Sequence, residues 1–271
     1  MRRIMPLLVL LAALAGPALA APPGATPPGP LIETWNYAFV PDAKFAWHGP
    51  QAAAGLLVWA HGKSGKGYDE RDVPAPPYVQ VFNDAGWDIV RFNRAPLPDD
   101  TNRASGWLHD GLKRIRAMGW RAVIAAGQSR GAWNDLQLLD TPGLADAIIA
   151  VSPAAHGFGD SLNLGGQTDD LRAMLDDIPR QNTRVALVQF SNDLFIGSAD
   201  ARRNMMERLA APRIGALLLI DRPPGFSGHG AGNSATFAQV YGACLLAFAT
   251  APTPPAACEP QASDPGPTVA R

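Results

Sequence analysis

The sequence predicts an α/β fold, a mostly parallel central sheet with helices on both faces, and three observations carry that prediction. Short, predominantly apolar runs recur at Gly55 to Ala60, Ala122 to Ala126, Ala147 to Val151, Arg184 to Phe190 and Gly215 to Ile220, the pattern of strands buried on both faces. Segments with helical spacing lie between them. Each run also gives way at its carboxyl end to a polar or glycine turn, the place where open α/β sheets bind ligands. With 271 residues, 47% hydrophobic and 17% charged, the chain suits one large-cored domain, placed here at residues 31–249.

The elements follow in order. Arg2 and Arg3, the apolar run Met5 to Ala15 and the small residues Ala18-Leu19-Ala20 read as a signal peptide over residues 1–20. Cleavage after Ala20 and a secreted or periplasmic location are the corresponding expectations. A flexible Pro/Gly leader occupies 21–30. Trp35, Tyr37, Phe39 and Val40 mark an edge strand within Leu31 to Val40. Gly55 to Ala60 is a buried strand running into the polar loop His61 to Gly67, and Pro76 to Gly86 is a short helix stopped by its glycine. Asp88 to Phe92 is the next strand. Trp107, Leu108, Leu112, Ile115 and Met118 give Thr101 to Met118 one helical face, with Gly119 as its stop.

Ala122 to Ala126 is a strand, and a helix follows it through Trp133, Leu136, Leu138 and Leu139. Residues 154–182 are irregular, with a short amphipathic helix near Asp169 to Asp177, and form a small lid-like excursion. The rest is a strand at 184–190, a helix at 199–209, a strand at 215–220, a helix at 234–249 and a Pro-rich tail over 250–271. Cys244 and Cys258, the two cysteines of the chain, form a candidate disulfide between the last helix and the tail.

Charge narrows the function. Of 23 basic residues the signal peptide removes two, and it removes none of the 24 acidic ones. A slightly acidic mature chain excludes nucleic acid or an anionic membrane as the main partner. No stable membrane insertion is expected after signal cleavage; oligomeric state stays open. No Cys/His cluster has metal-ligand spacing and no Gly-rich phosphate loop is present, so no metal or cofactor is expected.

The chemistry centres on Gly127-Gln128-Ser129-Arg130-Gly131, a serine between glycines where a strand turns sharply into a helix. Glycine at the flanking positions removes side chains that would collide with neighbouring backbone, and the helix N-terminus favours a developing oxyanion. An activated serine needs a base and an acid that orients it. Among five histidines, His229 lies in a glycine-rich loop after the last strand, where it can serve both nucleophile and leaving group; His156 is its rival. Asp193 follows a strand between serine and histidine, with Asp221 as the alternative acid. The oxyanion donors are expected to be the N–H of Arg130 and that of Lys63, with Gly62 as the alternative to Lys63. Trp133, His156, Phe158, Phe195 and Phe226 are candidates for an apolar substrate pocket.

The order Ser129, Asp193, His229, the elbow and the His61-Gly62 loop resemble the α/β-hydrolase superfamily over about residues 50–249. A small or absent cap makes the chain most similar to compact dienelactone-hydrolase-like and prolyl-oligopeptidase-like catalytic domains, although dienelactone hydrolases carry cysteine where this chain has Ser129. The Ser-Arg pair is similar to that of glucuronoyl esterases, in which the arginine helps to hold the oxyanion. What the resemblance implies is a serine hydrolase working through an acyl-enzyme. The expected activity is ester hydrolysis, with a small-molecule ester as the partner; the alternatives are a peptidase or amidase on the same triad, or a binding protein with a hydrolase fold.

Overall fold

A computed structural model describes residues 26–65, 67–96, 100–156 and 163–259. The expected signal peptide, the first half of the expected leader, Phe158 and the end of the tail lie outside the described residues. Eight strands form one sheet: β1 (Ile32–Glu33), β2 (Tyr37–Pro41), β3 (Gly55–Ala60), β4 (Trp87–Arg94), β5 (Val123–Gln128), β6 (Ala147–Val151), β7 (Arg184–Gln189) and β8 (Ala216–Asp221). Their order is β1-β2-β4-β3-β5-β6-β7-β8. The first two strands pair antiparallel at one edge, and every pairing from β4 to β8 is parallel.

Alternation along the strands divides the interior into two cores. Leu56, Val58, Val123, Ala125, Ile148 and Val185 face α2 (Thr101–Ala117), α3 (Arg130–Gln137), α4 (Leu164–Asp176) and α5 (Ala199–Met205). Leu57, Trp59, Ile124, Ile149, Ala186 and Val188 face α1 (Pro77–Asp84) and α6 (Ala235–Thr250). Covered on both faces, β3 buries all six of its residues, as its unbroken apolar run requires. Among the described residues, no helix is long and apolar enough to cross a membrane.

Two elements differ from their sequence reading. The stretch Leu31 to Val40 is two strands rather than one. Thr34 Oγ1 accepts the N–H of Tyr37 at 3.0 Å and makes the turn between them. Trp35, counted above as strand-like, is 99% exposed at the tip of that turn. The helix expected near 169–177 begins at Leu164, because Asn163 caps it by accepting from Gly166 N–H at 2.8 Å. It buries Leu171 and Leu175 in the main core, so it is packed structure rather than a detached lid. A disulfide does join Cys244 of α6 to Cys258, with Cα atoms 5.7 Å apart.

Candidate active site

Ser129 stands between the end of β5 and the first residue of α3, with φ 55° and ψ −117°. A non-glycine residue held in this region is strained, and here the surroundings enforce it. Ser129 N–H donates to Val151 O at 3.0 Å, and Ser129 O accepts from Trp133 at 3.0 Å and Ala154 at 3.1 Å. The flanking glycines are steric necessities. A Cβ on Gly127 would lie 2.6 Å from Ala132 N, and one on Gly131 would lie 2.0 Å from Ala60 O. Four non-glycine residues among those described have positive φ: Ser129, Ser152, Asn192 and Arg222. They follow the carboxyl ends of β5, β6, β7 and β8 respectively.

The loops after β7 and β8 are joined to each other. Gly228 N–H donates to Ser191 O at 2.7 Å, and Asn192 Nδ2 donates to Ser227 Oγ at 2.9 Å. This seam brings Asp193 to His229, with both carboxylate oxygens 2.9 Å from Nδ1. The Asp193 carboxylate is wholly shielded from solvent, whereas the His229 ring keeps 19% of its exposure. Asp193 Oδ1 also accepts the N–H of Phe195 at 2.9 Å, which fixes the carboxylate in its turn. The rival acid, Asp221, is bound to Gln189, Arg203 and Arg222 and does not meet His229.

Ser129 and His229 open on one small cleft of about 90 Å³, shared with Gly62, Lys63, Arg130, His156 and Phe195. The Phe195 ring lies 4.6 Å from the His229 ring. Tyr68 and Glu70 complete one wall; burial raises the Glu70 pKa above the ordinary carboxylate value, with Arg94 opposing it. Arg130 begins α3, so its backbone N–H has no acceptor within the helix, while its Nη1 donates to Thr101 Oγ1 at 2.9 Å. Two aromatic candidates are displaced from the cleft. Trp133 is buried in α3 and borders a neighbouring groove of about 540 Å³ instead. Phe226 packs on Phe190, Phe237 and Tyr241, because the second core needs its bulk. His156 separates the cleft from that groove, with Nε2 2.8 Å from Asp170 Oδ2 on α4.

Sequence patterns missed several polar residues around this cleft. Gln128 Nε2 donates to His229 O at 3.2 Å, tying the histidine loop to the residue before Ser129. Arg202 is wholly buried and donates to Pro153 O at 2.6 Å. Burial brings its pKa down to about 10, with Asp193 opposing, so a buried cation faces the carboxylate that holds His229. Arg94 is also wholly buried beside the His61-Gly62 loop. A charged residue that caps a strand or helix leaves no periodic signal to distinguish it from a surface one. Among the described residues, no cluster of His, Cys, Asp or Glu could hold a metal ion.

No family profile and no curated protein matches the chain. Solved structures do. Est1E from Butyrivibrio proteoclasticus aligns over 74% of this chain and 90% of its own, with a TM-score of 0.52 and 12% identity. The Pyrococcus furiosus esterase Pf2001 aligns over 82% of this chain and 95% of its own, with a TM-score of 0.53 and 12% identity. The strand order, the antiparallel first pair and the strained serine after β5 agree with that likeness. The chain has the α/β-hydrolase fold. A protein of unknown function from Staphylococcus aureus subsp. aureus Mu50 aligns over 77% of this chain and 92% of its own, at 11% identity and a TM-score of 0.52. In this fold the cleft lies at the carboxyl ends of the parallel strands, where Ser129, Asp193 and His229 all sit.

Proposed function

We propose that the protein is a serine hydrolase of carboxylic esters, with Ser129 as nucleophile, His229 as general base and Asp193 as the acid that orients it. The observation that carries this reading is the buried Asp193 carboxylate on His229 Nδ1 at 2.9 Å, in a chain whose strained Ser129 opens on the same cleft as His229. An acceptor on Nδ1 places the neutral ring's proton there and leaves Nε2 as the base.

In this mechanism Ser129 Oγ attacks the ester carbonyl as His229 Nε2 takes its proton. The carbonyl oxygen becomes an oxyanion held by backbone N–H groups, that of Arg130 among them. The imidazolium, stabilised by Asp193, passes its proton to the leaving alkoxide as the C–O bond breaks. Water then attacks the acyl-enzyme by the same route and releases the acid. The Pyrococcus neighbour is itself an esterase, which favours ester over amide substrates. The disulfide favours the expected export, since such bonds persist in oxidising compartments.

The test is active-site labelling of the purified chain with a fluorophosphonate, beside turnover of a short p-nitrophenyl ester and the matching anilide. The label is expected on Ser129, with both labelling and ester turnover lost in Ser129→Ala and His229→Ala. Undiminished ester turnover in Ser129→Ala overturns the assignment, and faster anilide than ester cleavage replaces the esterase with an amidase.

A further inference from the structure

Arg94, the last residue of β4, does something the hydrolase reading leaves unexplained. Its guanidinium is wholly buried and reaches the loop after the neighbouring strand, donating through Nη2 to two successive carbonyls, His61 O at 3.0 Å and Gly62 O at 2.7 Å. The backbone of Arg94 joins in, because its N–H donates to His61 Nε2 at 3.3 Å. A ring accepting at Nε2 carries its proton on Nδ1, which lies 2.7 Å from Gly62 O. Gly62 O therefore receives two donors, both from the buried side of the loop. Burial, and after it the charge of Arg94, pushes the His61 pKa well below the ordinary histidine value, so the ring stays neutral and Nε2 stays an acceptor.

The geometry of the peptide bond turns this clamp into a statement about the cleft. In a trans peptide the carbonyl of one residue and the N–H of the next point in opposite directions. With His61 O drawn inward onto Arg94, and Gly62 O onto Arg94 and His61, the N–H groups of Gly62 and Lys63 are both turned the other way, and both residues border the cleft that holds Ser129. We propose that Arg94 is a positioning residue that clamps the His61–Gly62 and Gly62–Lys63 peptides, turning their N–H groups outward so that this loop supplies the second oxyanion donor. The inference rests on the hydrolase reading and deepens it.

The experiment compares the full chain with Arg94→Lys and Arg94→Met, each first checked for cooperative melting. The substrates are a short p-nitrophenyl ester and its thionoester, whose sulfur accepts hydrogen bonds poorly. A misaimed donor lowers kcat by about 10- to 100-fold in Arg94→Met, below the loss seen when an oxyanion donor is deleted outright. KM is expected to stay within about twofold, because the contact strengthens only in the transition state. Arg94→Lys, which keeps the charge on a shorter side chain that reaches the two carbonyls less well, is expected to fall between. The preference of the wild type for the oxygen ester over the thionoester should shrink in the same order, a change that mere loosening of the fold does not produce.

A folded Arg94→Met with unchanged kcat and unchanged ester preference overturns the proposal, as does a loss confined to KM. Should Arg94→Met fail to fold, the crystal structure of the wild-type phosphonate adduct decides. A phosphoryl oxygen hydrogen-bonded to Arg130 N and to Lys63 N or Gly62 N supports the proposal, and one that meets neither N–H of the loop overturns it. A wild type that neither takes the phosphonate nor cleaves either ester is a different result, since it defeats the hydrolase reading itself.

Discussion

Gly131→Ala adds one methyl group where helix, strand and cleft meet. The new Cβ would lie 2.0 Å from Ala60 O, 2.5 Å from Ala60 C and 2.6 Å from His61 O. Comfortable contact needs about 3.5 Å, so roughly 1.5 Å of displacement is required, and the obstructing atoms are backbone rather than a side chain that can swing away. Overpacking of this kind costs about 3 kcal/mol, the upper end of the usual range, which lowers the melting temperature by roughly 6–12 °C in a domain of this size. The displacement also separates Ser129, at the head of α3, from the loop that begins at His61. Misplacement of about 1 Å between reacting groups lowers kcat/KM by about 10²-fold. The control is Gly106→Ala on the exposed side of α2, where a Cβ meets nothing within 4 Å; it should gain about 0.5–1 kcal/mol from helix propensity. Thermal melts and ester kinetics read both effects. A Gly131→Ala protein that melts with the wild type refutes the steric reasoning, and one that is destabilised but fully active at a permissive temperature refutes the link from this contact to the cleft.

Two further outcomes follow from buried groups near the elbow. Asp135 is wholly buried, neither of its carboxylate oxygens has a hydrogen-bond partner, and burial pushes its pKa well above the ordinary value with Arg94 opposing. The folded chain then keeps a proton that the unfolded chain loses above about pH 3.9, so this group subtracts stability as pH rises, by up to about 1.4 kcal/mol per unit. Asp135→Asn should be the more stable protein at pH 7, with the difference closing towards pH 4 in urea titrations; a pH-independent difference would mean that the carboxyl is ionised in the fold. His156→Ala should join the cleft of about 90 Å³ to the adjoining groove of about 540 Å³. The octanoyl-to-acetyl ratio of kcat/KM is then expected to rise about tenfold, and an unchanged ratio would exclude the groove from the substrate path.

The fold was legible because its evidence is repeated. The parallel strands β3, β5, β6 and β7 bury nearly every residue, so each is a largely apolar run that can be seen without tertiary information. The elbow was legible for a related reason: glycines at 127 and 131 are demanded by backbone contacts with the helix and β3 themselves. Ser129, Asp193 and His229 could be singled out by falling in that order after strands. Their separation could not, since it depends on the seam between residues 191–192 and 227–228.

Other parts could not be read in one dimension. How the loop after His61 is held beside the cleft depends on Arg94, contributed by a different strand and more than thirty residues away. Arg94, Asp135 and Arg202 are charged and wholly buried, and a pattern that assigns charge to the surface misplaces all three. Trp35 was misread for the opposite reason, as an aromatic residue that the hairpin leaves in solvent.

The left-handed residues at positions 129, 152, 192 and 222 give the molecule an uneven mechanical character. Each holds a side chain in backbone space that costs about 1–3 kcal/mol, and all four border the carboxyl edge of the parallel sheet. The opposite edge carries no such residue among those described. One rim is therefore cocked and the other relaxed. Glycine at 152, 192 or 222 would release tension on the cocked rim and raise the melting point while letting the loops that aim Asp193 and His229 drift. A heat-resistant variant that keeps its rate would have to be sought among the relaxed turns at the amino ends of the strands.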